Sequence, residues 1–259
     1  MSHRQKYKKL SEIPFFLAIF AYMKKALYII LAAALSSACN SISFPFVKFG
    51  GMKGDVESVV EKDYYAEEKF GIIGASGEPY AMRTMKYDRK GRLVAFEEKS
   101  NDKVTFSGEY EYDGDICVKS SYWNDYQGHA SMKAVEIGDD HIKRVYTEEN
   151  GTQYVEHTYF EGLVLTYKSA GQKSEEVCNE KGMILERKIY NGDDVRYRCT
   201  YEYDEDGLMS KETYWFENNR KDETVYKYED FDKEGNWTKR ISYLNGEPDK
   251  VTLHEITYR

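Results

Sequence analysis

Glycine-containing turns recur along this chain at a nearly constant interval, and this spacing restricts the fold more than any other feature. Seven acidic turns contain, in order, Gly91, Gly114, Gly138, Gly162, Gly182, Gly207 and Gly235. A second series of turns lies between them and includes Asn-Gly at 150–151, 191–192 and 245–246. Asn-Gly is the strongest short hairpin signal, because both residues tolerate the positive φ that matches strand twist. Two turns in each period predict two antiparallel strands per repeat.

The segments between the turns alternate in polarity, as strands with one buried face do. In VRYRCTYEY, residues 195–203, the odd positions from Val195 to Tyr203 are apolar or aromatic and the even positions are polar. Proline, which removes a ladder hydrogen bond, does not occur from 80 to 247. We therefore predict an all-β fold: an antiparallel meander of about seven hairpin repeats, or roughly 14 to 16 strands, curled into a spiral or barrel-like sheet. An opening strand is expected from Val56 to Tyr65, a loop over 71–79, and no substantial helix after the N-terminal segment.

The charge of the chain excludes one class of partner. The formal net charge is -8, with a pI of about 5.3, and no Lys/Arg-rich block follows residue 50. Nucleic-acid binding needs a concentrated basic surface, so we expect no nucleic-acid partner.

Residues 1–39 read as an export signal. From Met23 the chain has a basic start at Lys24 and Lys25, an apolar run to Leu35, and small residues before Cys39. The apolar run is shorter than the about 20 residues of a membrane span. Residues 1–22 are interpreted as an extension upstream of the true start, with a long two-part anchor as the alternative.

The small residues before Cys39 resemble a bacterial lipobox, which implies cleavage before Cys39 and its lipidation. One position departs from that pattern, because Ser36 stands where Leu is usual. Ordinary signal-peptidase cleavage and an uncleaved helix are the alternatives. Residues 40–50 then form a tether without the acidic cluster that marks surface export in lipoproteins of some anaerobic Gram-negative bacteria. This resemblance implies an outer-membrane lipoprotein that faces the periplasm and contacts the membrane through its anchor.

Three further cysteines lie in the repeat region: Cys117, Cys178 and Cys199. Cys178 and Cys199 lie about one repeat apart, so a disulfide between nearby strands is one interpretation in an oxidising compartment. Buried free thiols on the apolar face are the other.

The repeat units resemble YD repeats, also called RHS repeats, and the domain 51–259 resembles small bacterial lipoproteins of unknown function built from them. Tyr87-Asp88 with Gly91, Tyr203-Asp204 with Gly207, and Phe231-Asp232 with Gly235 match the repeat pattern, whereas Tyr112-Asp113 matches only its start. The resemblance implies a spiralling sheet around a hollow interior. A membrane-spanning barrel is the alternative, which charged residues such as Lys239 and the redundancy of an anchor disfavour.

No catalytic constellation stands out. The histidines His129, His141, His157 and His254 have no metal-ligand spacing, and the chain lacks GxSxG, CxxC and phosphate-loop motifs. We therefore predict no catalytic residue, no metal and no cofactor. The acidic turns lack the ligand spacing of a calcium loop, so their Asp residues are expected to cap the turns and their Gly residues to take positive φ. These structural residues are Asp88, Gly91, Asp204, Gly207, Asp232 and Gly235.

Aromatic residues beside the second series of turns are the best candidate for function. We predict a binding rim made of Tyr122, Trp123, Tyr126, Tyr214 and Trp215, which suits a glycan or an envelope protein; the alternative is that these rings cap the core. The predicted function is a lipid-anchored envelope protein whose repeat sheet binds or scaffolds without catalysis. The alternative is a periplasmic hydrolase or glycan-processing enzyme with a site inside the curled sheet.

Overall fold

The computed structural model describes residues 52–169, 171–216 and 220–259, which form sixteen β-strands. The predicted signal segment, the tether and Cys39 lie outside the described residues. The strands are β1 Val56–Lys69, β2 Ile72–Tyr87, β3 Leu93–Ser100, β4 Lys103–Asp113, β5 Ile116–Asn124, β6 Gly128–Ile137, β7 His141–Glu148, β8 Gln153–Glu161, β9 Val164–Ser169, β10 Gln172–Cys178, β11 Ile184–Asn191, β12 Asp194–Tyr203, β13 Met209–Trp215, β14 Lys221–Phe231, β15 Trp237–Leu244 and β16 Glu247–Tyr258.

The strands form a closed antiparallel barrel. Each strand pairs with its neighbours in sequence, and β1 pairs with β16 from Val56↔Tyr258 to Tyr65↔Lys250. Closure removes both sheet edges, which would otherwise expose unpaired backbone groups. The predicted all-β, barrel-like meander is confirmed in this form. Across the described ranges, no helix has the length and apolar content that a membrane span needs.

The prediction of seven hairpins is wrong, because sixteen strands make eight. The additional hairpin joins β1 to β2 through Phe70 and Gly71, whose φ values are 55° and 78°. The predicted loop over 71–79 is instead the first half of β2, and the opening strand continues four residues beyond Tyr65. The glycines and Pro79 suggested a loop, but pairing with β1 from Tyr65↔Ser76 to Lys69↔Ile72 keeps this segment extended.

The two series of turns lie at opposite ends of the barrel, since the strands alternate in direction. The acidic glycine turns form one end, hereafter the acidic-turn end, and the Asn-Gly series forms the other, the Asn-Gly end. The Asn-Gly series also includes the turns at 170–171 and 218–219, of which Ala170, Asn218 and Asn219 are outside the described residues. The barrel domain begins and ends at the acidic-turn end, where Arg259 Nη1 donates a hydrogen bond of 2.7 Å to Asp55 Oδ1.

Side chains alternate between a buried inner face and a more exposed outer face. In β8, Glu156 and Thr158 are buried whereas Val155 and Tyr159 are exposed. The hydroxyls of Tyr122 on β5 and Tyr154 on β8 lie 3.3 Å apart although two strands separate them. Side chains converge over such a distance only on the concave side of a sheet, so this face is the interior.

The interior is built from aromatic stacks and from tyrosines whose hydroxyls are hydrogen-bonded. Phe106 packs against Phe96 and Tyr122, with ring centroids 5.7 and 5.9 Å apart. A repeated bond closes three hairpins: the hydroxyls of Tyr112, Tyr203 and Tyr228 donate to the carbonyl oxygens of Leu93, Ile184 and Met209. Each acceptor precedes its tyrosine by 19 residues. Tyrosine suits this position because its ring packs while its hydroxyl finds a buried acceptor.

Bulges alter the alternation that the sequence suggests. Tyr197 and Tyr201 are partly buried and Cys199 is buried, but Val195 is 44% exposed because the register shifts between Ile189 and Tyr190 on β11. Val195 therefore does not share the buried face, contrary to the prediction. A bulge inserts an unpaired residue and so reverses the faces of the residues beyond it.

Candidate functional site

A groove on the outer wall of β2–β6 is the best candidate site, with a volume of about 370 Å³. Its outward-facing lining combines small residues with longer polar side chains and one tryptophan. These residues are Thr84, Lys86, Ala95, Glu97, Ser107, Glu109, Ser121, Trp123 and His129. The volume falls within the roughly 300–1,000 Å³ of small-molecule sites.

Strand register produces the groove. Ser107 lies opposite Glu97 on one side and Trp123 on the other, and Trp123 lies opposite His129. The short side chain of Ser107 thus lies between those of Glu97 and Trp123 in a row that crosses four strands. This leaves a depression over Ser107. Directly opposite side chains are about 4.5–5.5 Å apart at Cβ, so one small ligand can contact several of them.

The inner face supports the floor of the groove. Gly108 points inward, and a Cβ there would lie 3.4 Å from Phe106 Cε1 and 3.4 Å from Tyr122 Cβ. The nearest atom to that Cβ would be Tyr110 Oη, at 3.3 Å, so glycine avoids a tight contact beside the stack of Phe106 on Tyr122, whose interplanar angle is 15°. This stack fixes the backbone of β4 and β5, which carries Ser107, Ser121 and Trp123 above it.

The chemistry of the groove suits a hydroxyl-rich ligand. Trp123 offers an apolar ring face, Ser107 and Ser121 offer hydroxyls, and Glu97 and Glu109 offer carboxylate acceptors. A few placed polar groups around an aromatic surface are the usual composition of an orienting small-molecule site. A sugar presents both an apolar ring face and donating hydroxyls, and this arrangement matches both.

The predicted rim residues do not share one surface. Trp123 lines the groove and Tyr126 lies in the next turn, 50% exposed, but Tyr122 points inward. Tyr214 also points inward, against Tyr197 and Phe216, with ring centroids at 5.7 and 4.8 Å. Neighbouring residues of a strand point to opposite faces, which the rim prediction overlooked.

Trp215, the last of the predicted rim residues, is on the outer wall but far from the groove. Its ring lies 5.8 Å from the Arg198 guanidinium and 5.7 Å from Lys221 Nζ. It ends β13, eight strands from β5 in a barrel of sixteen. Trp123 and Trp215 are therefore at the same end of the barrel, on opposite sides.

The remaining groove residues come from strands that no local motif marks. Glu97, Glu109 and His129 lie on β3, β4 and β6, and only the pairing of the strands brings them beside Trp123. The recurring turns could have indicated that these segments are neighbours, but not their register.

Inside the barrel, a charged cluster surrounds Arg83. Its Nη1 donates to Glu61 Oε1 at 2.5 Å and to Asp63 Oδ2 at 2.9 Å, and its Nε donates to Glu98 Oε2 at 2.9 Å. Desolvation opposes the charge of Arg83, but the three carboxylates outweigh it and raise the arginine pKa. One arginine therefore joins three strands, β1, β2 and β3.

The side of this cluster nearest β16 supplies further donors to the same carboxylates. Lys250 Nζ lies 3.2 Å from Asp63 Oδ2, and Thr252 Oγ1 donates to Asp63 Oδ1 at 2.7 Å. His254 Nε2 lies 2.8 Å from Glu61 Oε2. Burial alone would raise the pKa of Glu61, but the hydrogen bond with His254 and the charges of Arg83 and Arg240 hold it well below its usual range.

A second internal cluster surrounds Arg144 on β7, which is fully buried. Its Nη1 donates to Thr158 Oγ1 at 2.9 Å and lies 3.5 Å from Glu156 Oε1. Tyr146 also donates to Glu156, at 3.4 Å. Here burial outweighs Arg144 and the hydrogen bonds, so the pKa of Glu156 is raised.

The acidic turns share one geometry. Asp88 Oδ1 accepts from the amides of Lys90 and Arg92 at 2.8 and 3.0 Å, and the Gly91 amide donates to the Asp88 carbonyl at 3.0 Å. Asp204 accepts from the Leu208 amide, and Asp232 accepts from the amides of Glu234 and Asn236. The φ values of Gly91, Gly207 and Gly235 are 76°, 82° and 79°, in the left-handed region that favours glycine. These side chains are occupied with backbone amides.

The thiols of Cys117, Cys178 and Cys199 are free and buried. Cys178 is on β10 and Cys199 on β12, with β11 between them. Two strand spacings are about 9.5 Å, beyond the roughly 7 Å Cα separation that a disulfide spans. The disulfide interpretation is therefore wrong, and burial raises the pKa of Cys178 to about 11 and of Cys199 to about 12.

Among the described residues, no group of three or more His, Cys, Asp or Glu side chains is arranged to hold a metal ion.

Comparison with known proteins finds no family model and no curated protein that matches this chain. Among solved structures, a porin-like protein from Bacteroides uniformis is similar with a TM-score of 0.42 and 10% identity, over 80% of this chain and 98% of that one. A porin-like protein from Bacteroides vulgatus is similar with a TM-score of 0.41 and 12% identity, over 79% of this chain and 98% of that one.

Proposed function

We propose that this chain is an exported, lipid-anchored protein of the cell envelope whose β-barrel binds a glycan in the groove beside Trp123, without catalysis. The observation that carries the proposal is the groove itself. It combines a partly buried, outward-facing aromatic side chain with hydroxyl and carboxylate groups, above the stacked rings of Phe106 and Tyr122.

The envelope location rests on residues 23–39, where a basic start, a short apolar run and small residues precede Cys39. We propose that Cys39 is lipidated and that the barrel is an outer-membrane lipoprotein facing the periplasm. The YD-like turns support a relationship to repeat-built bacterial lipoproteins. Intact mass tests the anchor in a Gram-negative host: an acylated N-terminus at Cys39 that is lost in Cys39→Ala supports it, and equal unmodified masses contradict it.

The outer wall of the barrel supports an aqueous rather than a lipid environment. Each stretch of wall carries charged outward side chains, such as Lys86 on β2, Glu109 on β4, Lys133 on β6 and Arg198 on β12. A membrane-spanning barrel needs an outward apolar band about 25 Å tall. An anchored barrel in the periplasm has no such need.

Binding is favoured over catalysis because the interior carboxylates are engaged by arginines. Glu61, Asp63 and Glu98 all bond to Arg83, and Glu176 accepts from Arg187 Nε at 2.8 Å. A general acid and a nucleophile need carboxyl groups that reach the substrate, whereas these groups bond to neighbouring strands. The alternative, a hydrolase with a site inside the barrel, would show products when the protein is incubated with oligosaccharides and analysed by mass spectrometry.

Trp123→Ala tests the glycan groove, and Trp215→Ala is its matched control. Both tryptophans are outward-facing residues near the end of an odd-numbered strand, on opposite sides of the barrel. Calorimetry with a panel of envelope oligosaccharides should show binding that Trp123→Ala weakens about 30-fold or more, since a central aromatic contact typically contributes about 2 kcal/mol or more. Trp215→Ala should bind as the wild type does. Equal affinity of both variants would contradict the proposal that the ligand binds in the groove. Binding of peptides but not of sugars would contradict the proposal that the ligand is a glycan.

A further inference from the structure

A row of basic residues crosses the outer wall on four adjacent strands. Lys143 on β7 lies opposite His157 on β8, His157 lies opposite Lys168 on β9, and Lys168 lies opposite Lys173 on β10. Lys133 on β6 adds a further exposed charge beside this row. We call these five residues the basic wall. Lys168 and Lys173 are like charges placed directly opposite one another, an arrangement that destabilises a sheet.

Little in the barrel neutralises the basic wall. Lys133, Lys143 and Lys168 form no ion pair within the described residues, and Lys173 alone has a partner, Glu175 at 2.6 Å. Glu136 lies opposite Lys143 in register, but its carboxylate is directed to His141 Nε2, at 3.3 Å. The chain as a whole has a formal net charge of -8, so this local excess of positive charge runs against its composition.

Lysines on the opposite side of the barrel form ion pairs with glutamates. Lys62 on β1 pairs with Glu255, while Lys227 on β14 and Lys239 on β15 both lie 2.9 Å from Glu229. Those lysines belong to local ion pairs, whereas three of the four lysines of the basic wall have no ion pair within the described residues.

Apolar side chains lie exposed among the basic ones. Val155 is 37% exposed, Tyr159 is 39% exposed and Val135 is 51% exposed, all on β6 and β8. The Tyr159 ring stacks on His157 at 6.0 Å and lies 5.3 Å from Lys168 Nζ. Leu163, in the turn after β8, is 40% exposed. The same surface therefore offers positive charge, aliphatic groups and an aromatic ring.

We propose that the basic wall docks on the surface of an anionic lipid bilayer. Lysines attract the headgroups of anionic lipids, and exposed aliphatic and tyrosine side chains enter the headgroup region of a bilayer. A soluble polyanion would be attracted by the positive charges, but it would make no apolar contact with Val135, Val155 or Leu163. This surface is the convex outside of a barrel, which can lie against an extended sheet of headgroups. The inference rests on the proposed function only in that an envelope protein has a membrane within reach.

Docking in this way would leave the proposed glycan groove accessible. The groove is centred on β4 and the basic wall on β8, four strands apart in a barrel of sixteen. That separation is a quarter of the circumference, so the groove would face sideways along the membrane.

The test is vesicle flotation of the full chain carrying Cys39→Ala, which removes the proposed lipid anchor. Vesicles of phosphatidylcholine alone are compared with vesicles that also contain phosphatidylglycerol. The test variant carries Lys143→Gln, Lys168→Gln and Lys173→Gln. The matched control carries Lys62→Gln, Lys227→Gln and Lys239→Gln, which removes the same charge from the opposite side. Circular dichroism verifies that both remain folded.

We expect binding to the phosphatidylglycerol vesicles that falls as salt is added, and on the order of 100-fold weaker binding by the test variant, since each lysine near an anionic surface contributes about fivefold. The control should bind within a few-fold of the parent. Equal losses in both variants, or binding indifferent to phosphatidylglycerol, would overturn the proposal. Stronger binding to soluble polyphosphate than to vesicles would also overturn it, in favour of a soluble polyanion. Failure of glycan binding or of lipidation at Cys39 would show in the separate calorimetry and mass measurements.

Discussion

Two arginines on the inner face of the same barrel, the partly buried Arg83 and the fully buried Arg144, contact carboxylates that are in opposite electrostatic states. Arg83 contacts Glu61, Asp63 and Glu98, and the pKa of Glu61 is lowered. Arg144 contacts the carboxylate of Glu156 at the longer distance of 3.5 Å, and the pKa of Glu156 is raised. Both carboxylates are largely buried, so burial alone does not decide their charge.

The charge and geometry of the partners explain the difference. Burial favours the neutral form of a carboxyl group, and opposite charges and hydrogen bonds favour the ionised form. Glu61 has the short contacts with Arg83 and His254 and the further charge of Arg240, whereas Glu156 has longer contacts, at 3.4 and 3.5 Å, with Tyr146 and Arg144. In this barrel, a carboxylate beside an arginine stays ionised where short contacts and further charges offset desolvation.

Replacement of Arg83 should be the most destabilising change. Arg83→Met leaves Glu61, Asp63 and Glu98 close together without their shared cation, and breaking a buried ion pair by removing one partner costs about 3–5 kcal/mol. Urea denaturation at neutral pH measures the loss. The surface variant Lys227→Met, which removes a charge from an exposed pair, is the control and should change stability by less than about 1 kcal/mol.

Replacement of Arg144 should be less destabilising, by about 1–3 kcal/mol, because Glu156 can take up a proton and remain buried as a neutral group. The double variant Arg144→Met with Glu156→Gln should recover part of that loss. Urea denaturation compares the two. If Arg144→Met is as destabilising as Arg83→Met, the distinction between the clusters fails.

The smallest predicted effect is on the pH dependence of the free energy of unfolding. Glu61 and Glu156 should change it in opposite directions, each by on the order of 1 kcal/mol. Glu61 has a lowered folded pKa, so its contribution is present above its unfolded pKa and is lost as the pH falls toward the folded value. Glu61→Gln should therefore destabilise more at pH 7 than at pH 4. Glu156 has a raised folded pKa, so its contribution is present at low pH and is lost as the pH rises. Glu156→Gln should be relatively less destabilising at pH 7 than at pH 4.

Denaturation midpoints of the two Glu→Gln variants, measured against the wild type at both pH values, decide this prediction. Parallel pH profiles for the two variants would contradict the opposite states of Glu61 and Glu156.

Much of the fold could be predicted from the sequence because its turns depend on residues that are adjacent in the chain. The acidic turns need only a few consecutive residues, such as Asp88 to Arg92, so their pattern is complete in the sequence. The hairpin at Phe70 and Gly71 escapes prediction because its first turn residue is a phenylalanine with positive φ, which no turn preference indicates. Bulges, such as the shift beside Val195, escape prediction because they depend on the partner strand.

The candidate site was predicted only at Trp123. The aromatic rim grouped residues by their closeness in sequence, and this placed Tyr122 and Tyr214 with the outward-facing tryptophans although they point into the barrel. The partners of Trp123 come from other strands, and a shift of one residue in register would replace every one of them.

The all-β class, the alternation and most of the hairpins therefore follow from the amino-acid sequence, because turn preference and the two-residue period of a strand act between residues that are close in the chain. Three features depend on how the strands pair in the folded barrel: the closure of the sheet, the different surroundings of Arg83 and Arg144, and the positions of the groove beside Trp123 and of the basic wall on β6–β10. Those features join residues of separate strands, up to Val56 with Tyr258, and their physical cause is the register and curvature that sixteen strands reach together.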